Sequence, residues 1–416
     1  MKNLFYKTII AFLSVTSVTS CVEPYVLQTN TFEEALVVEA TITNELKQQE
    51  IKITKTYKLE QNQPTQVFGA TVLVVDNLGT QFTFQEINGK YISNNPFQAI
   101  PGRTYQLKIR TSNGRKYSSS VEALTTVSPL TNVLANAVTR SDGKTGIEIT
   151  AKSFDPTNTS KYYRFEYEET YKIVAPLWRN VIAVPTIIGY TPLFRPIYQM
   201  YFFPRTTEAK TCYTTKNSDR IIVTSTSNLS EDRVNFPVQF LEKSDYKIAN
   251  RYSILVKQYV QNLASYTFYK TLNEISGSGN ILSQTQPGFL IGNISSESDP
   301  EEKVIGYFDV SSFSKQRIFL NHDDFFPYTP NPSYPYNKCV AGSDTDLNPF
   351  RGETFLDFCF SAADNTTCAG ETIINLLENN TSVYYNNAGI RYELYPTPCG
   401  DCTSFSSNIR PLFWID

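Results

Sequence analysis

The chain has 416 residues, 41% hydrophobic and 13% aromatic, with a formal net charge of −3 at pH 7. On length that gives roughly two or three domains, each with apolar content for a core. The absence of a long basic run excludes an electrostatically driven nucleic-acid binder. The 27 Tyr and 27 Phe stand against 2 Met, and with abundant Thr, Ile and Val they favour pleated sheet.

Lys2 and Lys7 form a positive n-region, 9–15 is a short apolar run, and Val18-Thr19-Ser20-Cys21 sets small residues before a cysteine. This pattern predicts a lipoprotein signal peptide over 1–20, with Cys21 taking the lipid. The apolar run is too short to span a bilayer. Several acyl chains are needed for anchoring, because one holds a protein only marginally. No later apolar stretch reaches spanning length, and the strands are too few and irregular for a membrane barrel.

Residues 21–32 read as a tether. Strand patterns follow at 36–42, 51–56, 70–75, 81–85, 90–92, 104–109 and 116–118, with turns at Asp76-Asn77-Leu78-Gly79, Asn88-Gly89 and Asn113-Gly114. Asn and Gly accept positive φ at little cost, so these are hairpin turns. Short strands at such spacing predict an Ig-like or transthyretin-like β-sandwich over 33–126.

A second β-rich domain is expected over 127–338. Its strand candidates are 146–151, 162–167, 220–224, 252–256, 304–308 and 316–320, with a turn at Asp155-Pro156-Thr157-Asn158. One helix stands out near 262–275, where Leu263, Tyr266, Tyr269 and Leu272 recur with Phe268 and Ile275, and Gly277 closes it. Residues 339–416 form a Cys-rich segment, expected as loops tied by disulfides and packed on the second domain. Apart from Cys21, six cysteines remain: Cys212, Cys339, Cys359, Cys368, Cys399 and Cys402. An even number in an exported chain predicts disulfides, with every connectivity open.

Residues 170–207 contain no Asp or Glu, and carry Lys172, Arg179, Arg195 and Arg205 among many apolar groups. Five prolines argue against a long helix or strand there. Two readings are open: strands and a loop buried in the second domain, or an aromatic, basic surface for a membrane partner. Trp178, Arg179, Phe194, Arg195, Tyr198, Tyr201, Phe202 and Phe203 are the partner-binding candidates.

Chemistry finds little support. His322 is the only histidine, which excludes two-histidine zinc motifs, and there is no G-x-S-x-G elbow. His322-Asp323-Asp324 reads as a polar turn rather than a metal site. Asp344-Thr345-Asp346-Leu347-Asn348 opens like a calcium loop, but Pro349 and Phe355 stand where the EF-hand needs Gly and Glu. Cys399-Gly400-Asp401-Cys402 has redox-motif spacing without the helical context that lowers a thiol pKa, so structural disulfides are expected. No catalytic residue, metal or cofactor is assigned.

Several short motifs keep a common order: Cys212-Tyr213-Thr214-Thr215, Tyr252-Ser253-Ile254-Leu255-Val256, Gln286-Pro287-Gly288, Gly292-Asn293-Ile294, Val304-Ile305-Gly306-Tyr307-Phe308, Cys399-Gly400-Asp401-Cys402 and Pro411-Leu412-Phe413-Trp414. Their order resembles the Bacteroidota-type lipoprotein family called domain of unknown function 4249. The last motif lacks the Gly-Gly stretch expected before the Phe-Trp pair. The resemblance implies a non-catalytic outer-membrane lipoprotein, often beside TonB-dependent transporters. The expected role is accessory subunit of such an uptake system, at the cell surface rather than the periplasmic face. The alternative is a lipoprotein that captures a glycan, peptide or other small molecule without a transporter, and a hydrolase ranks third.

Overall fold

The structure, a computed structural model, describes residues 34–57, 64–190, 196–277, 290, 292–336, 339, 369–388 and 391–416. Strand Leu36–Thr43 buries Leu36, Val38, Ala40 and Ile42 and turns Val37, Glu39 and Thr41 the other way. That alternation gives it one apolar and one polar face. It pairs antiparallel with Glu50–Lys55 and parallel with the first half of Val304–Leu320. Fifteen strands share one sheet, from Thr211–Asn217 at one edge to Ile294–Ser296 at the other.

The chain is mainly β and builds two sandwiches on that sheet. The first core gathers Ile42, Ile51, Ile53, Val74 and Leu107, and takes in Ile294, Phe308 and Val310 from far along the chain. The second sandwich lays a three-stranded sheet (Leu130–Thr139, Thr145–Asp155, Asp232–Glu242) over strands Tyr162–Val174 and Tyr252–Gln261. Ile147, Ile149 and Val238 meet Phe165, Ile254 and Val256 there.

Val304–Leu320 is one strand of 17 residues, where the sequence pattern shows two. Residues 304–311 run parallel to Leu36–Thr43, and 312–320 run antiparallel to Tyr252–Gln261. The polar middle, 309–315, lies between those two candidates. In the fold Asp309, Ser311 and Ser312 are buried at the junction of the sandwiches. Ser311 Oγ donates to Asp309 Oδ2 (2.7 Å), and Ser312 N donates to Thr125 Oγ1 (2.8 Å).

The helix is Leu263–Gly277, capped by Asn262, whose Oδ1 accepts from Ser265 N at 2.7 Å. Its inward face is set by Ser265 and Phe268, while Leu263 is 58% exposed. A row at every third residue slips back by roughly 60° per step and leaves the packed face.

The C-terminal part holds more regular structure than the expected loops: helix Ala369–Glu378, a hairpin of Ser382–Ala388 with Arg391–Pro396, and a turn of helix Thr397–Gly400. Disulfides tie it down, joining Cys212 to Cys402 and Cys339 to Cys399. Cys21, Phe194, Arg195, Cys359, Cys368 and the segment 344–348 lie outside the described residues.

Two positions carry sharp stability expectations. Gly306 has φ +146°, and a β-carbon there would lie 2.1 Å from the Val38 carbonyl oxygen. Gly306→Ala is expected to destabilise the protein by about 3 kcal/mol or more in urea unfolding. A change within about 0.5 kcal/mol, the usual surface value, would contradict the close approach.

Asp155 is buried and accepts from the N–H groups of Thr157 (2.9 Å), Thr159 (3.1 Å) and Ser160 (2.8 Å). Burial pushes its pKa up, but hydrogen bonds from the Thr157 hydroxyl and from the N–H groups of Ser160 and Thr157 outweigh that and hold it below the ordinary carboxylate value. Asp155→Ala is expected to cost about 2–3 kcal/mol at neutral pH. A lowered folded pKa contributes stability above the unfolded value of about 4 and loses it as pH falls through the folded pKa. The gap between wild type and variant should therefore shrink in acid; a gap that widens in acid would refute the assignment.

Candidate functional site

The acid-free stretch folds as a protruding hairpin, Val181–Tyr190 with Pro196–Pro204. Strands of this length run against the expectation drawn from the five prolines. The reason is that a two-stranded ladder leaves each strand one open edge, where a missing N–H costs nothing. Pro185 pairs with Met200, and Pro196 and Pro204 sit at the strand ends.

The hairpin has two unlike faces. On the inner face Met200 is buried with Ile373 and Leu394, while Phe202, its ring 4.9 Å from Tyr384, stays exposed. On the outer face Ile182 and Phe203 face each other across the ladder, and the Tyr201 ring stacks on Phe203 at 6.5 Å. Ile182, Tyr201 and Phe203 are exposed, as are Ile187, Ile188 and Tyr190 toward the tip. Tyr198 is half-buried.

The described cations of the stretch have partners within the chain. Arg179 Nε donates to the Tyr385 carbonyl (2.9 Å), and its guanidinium lies 4.0 Å over the Tyr385 ring. Arg205 pairs with Asp401 at 2.9 Å. Trp178 packs half-buried against the second core, with Lys210 over its ring. The structure thus brings Tyr201, Phe202 and Phe203 together on the hairpin and puts Trp178 and Arg179 at its base. The exposed face is largely apolar, with Thr186 and Gln199 beside the rings, and shows no charged side chain among the described residues.

Two other sequence candidates resolve as scaffold. Cys399 and Cys402 belong to different disulfides, so they form no redox pair. His322 is buried in a 3-10 turn, its ring 5.3 Å from Phe326.

Sequence reading missed a cleft of 730 Å³ between the two sandwiches, lined by Glu39, Arg164, Glu166, Lys257, Tyr259 and Tyr269 among others. The Arg164 guanidinium sits between the rings of Tyr259 (4.2 Å) and Tyr269 (4.6 Å) and pairs with Glu166. Burial disfavours its charge, but Tyr269, Glu166, Tyr259 and Asp309 outweigh that and hold it protonated. The available signal was the alternation in Tyr162–Val174, where Arg164, Glu166 and Glu168 face away from buried Tyr163, Phe165 and Tyr167. Such a pattern normally marks a solvated face, and nothing local reveals the second wall.

Residues 22–317 match the family described as Domain of unknown function (DUF4249). No curated protein matches the chain. Among solved structures, a Yersinia pseudotuberculosis adhesin, InvE, is similar at 14% identity over 54% of each chain, with a TM-score of 0.14. The BSP domain of a biofilm-associated protein is similar at 7% identity, over 70% of this chain and 59% of that one, with a TM-score of 0.15. This chain thus spans about half the length of the first of these, and likenesses of this size carry no argument about function.

Peptide mapping without reductant is expected to recover Cys212 joined to Cys402 and Cys339 joined to Cys399. A Cys399–Cys402 bridge would reopen the redox reading.

Proposed function

The chain belongs to the DUF4249 family, and on that footing we propose that it is an outer-membrane lipoprotein, anchored through Cys21, that acts as a non-catalytic accessory subunit of a TonB-dependent uptake system. The hairpin 181–204 is the docking element. One observation carries this: the hairpin's outer face exposes Ile182, Tyr201 and Phe203 although its inner face already has a core of its own. Aromatic side chains of this kind dominate interface hot spots. Burying what remains exposed of each is worth on the order of 1 kcal/mol. Loss of flexibility on docking is small, because the hairpin base is tied by Arg205–Asp401 and by the Leu177 N–H donating to the Cys399 carbonyl (2.9 Å).

The test is affinity purification of the tagged protein from detergent-extracted membranes, with mass spectrometry of what accompanies it. Near-stoichiometric recovery of a TonB-dependent barrel is expected. Ile182→Ser with Phe203→Ser should reduce that recovery about tenfold, equivalent to about 1.4 kcal/mol, while leaving thermal unfolding nearly unchanged. A Cys21→Ala form run in parallel separates anchoring from docking. Recovery of the lipoprotein alone, in detergent that preserves other such complexes, would refute the docking role.

A further inference from the structure

We infer that the cleft between the sandwiches binds a small organic carboxylate, with the ligand's carboxylate paired to the Lys257 ammonium. The argument rests on a row of charges across three neighbouring strands. Glu166 on Tyr162–Val174 stands opposite Lys257 on Tyr252–Gln261, which stands opposite Lys315 on Val304–Leu320. Residues directly opposite share a face of the sheet, and like charges so placed are destabilising.

The carboxylates of the neighbouring strands are already engaged, and of the other acids lining the cleft Glu39 pairs with Lys52 (2.8 Å) and Glu50 with Lys90 (2.7 Å), while Asp219 has no ion pair among the described residues. Glu166 is taken by Arg164 and by the Tyr259 hydroxyl (3.1 Å). Glu45 is taken by Lys315 and by Lys47 (3.1 Å). Among the described residues the Lys257 ammonium has no ion-pair or hydrogen-bond partner. The cleft wall therefore keeps in Lys257 a cation without hydrogen-bond or ion-pair partner among the described residues, beside Arg164, whose buried Nε has no partner, and Arg220, which donates to the Val238 carbonyl (3.0 Å) but has no ion pair.

The cavity sets the size class, because 730 Å³ falls in the range of small-molecule sites. Its chemistry favours ionic recognition over ring stacking. Arg164 already occupies a face of both Tyr259 and Tyr269, and Phe268 and Tyr307 are buried with their rings 5.7 Å apart. The inference holds whether or not the hairpin docks on a transporter.

Titration calorimetry of the full chain with a triglutamate peptide and with trigalacturonate tests it and separates the two sources of carboxylate, with maltotriose as the neutral control. At least one acidic probe is expected to bind with a millimolar or lower Kd, and maltotriose is expected not to bind. Lys257→Gln should weaken that binding at least about tenfold. Lys257→Arg and Lys315→Gln should each leave it within about threefold, Lys315 lying outside the cleft lining. Removing a like-charge neighbour, Lys257→Gln should also unfold no earlier than wild type. Absence of binding by both acidic probes, or equal binding by Lys257→Gln, would overturn the assignment.

Discussion

The molecule depends on one close approach of backbone to backbone. Leu36–Thr43 and the first half of Val304–Leu320 run side by side in parallel, and Gly306 sits against the Val38 carbonyl. Gly292 approaches Gly306 just as closely, since a β-carbon on it would lie 1.5 Å from the Gly306 carbonyl oxygen. Without a side chain at either position, three segments from opposite ends of the chain stack at backbone distance. The sheet therefore continues from one sandwich into the other. Parallel pairing of such distant segments is slow to form, yet loop closure of this length costs little more than closure of a shorter one. The contact is non-local in every sense, and the cleft is its consequence: its walls are the two sandwiches, held at a fixed angle by the strand they share.

A buried polar layer fixes that junction. Asn293 donates to Glu122 and to the Phe308 carbonyl (2.9 Å each) and accepts from the Phe308 N–H (2.7 Å). Asn262 donates to the same Glu122 at 2.8 Å while capping the helix with its other atom. One asparagine thus sets where the helix begins and how it sits over the shared strand. Asp309 lies deeper, and burial pushes its pKa up while Arg164 and the bonds from Ser311 and Gln261 oppose that. Such a layer adds less to stability than to uniqueness, because a shifted register would leave several buried polar atoms without partners. Phe268 and Tyr269, which help wall the cleft, are placed by that same cap.

What the sequence revealed followed from periodicity and local turn chemistry. The short strands of the first sandwich, the helix start at Asn262 and the turn at Asp155 are all local, and each is found where the pattern puts it. The helix face was less legible, since the every-third-residue row includes exposed Leu263 and passes over buried Ser265. The long strand through Asp309 and Ser311 was hidden because its polar centre is stabilised by partners from Thr125 and Gln261, far away in sequence. The hairpin was only half legible, strands with a loop being one of two open readings. Prolines are read as breakers, but an isolated ladder tolerates them on its open edges. The cleft was illegible in principle, because its charge pattern has meaning only once strands from two sandwiches are juxtaposed.

The outer face of the hairpin is informative because it is not a leftover of packing. A strand pair whose only apolar side faced the core would present polar residues to water. Here the inner side has a core of Met200, Ile373 and Leu394, with Phe202 against Tyr384 at its exposed margin. The outer side repeats the same chemistry with Ile182, Tyr201 and Phe203 and carries no charge. Of the segment's described cations, Arg179 lies over the Tyr385 ring, Arg205 pairs with Asp401 and Lys172 pairs with Asp416. Covalent and ionic ties then hold the hairpin base against the C-terminal turn, where Gly400 leaves room for Val383 and the Leu177 carbonyl. A flexible apolar flap could fold back and hide itself; a braced one cannot. Among the described residues this surface therefore stays exposed to water, at a cost in solvation.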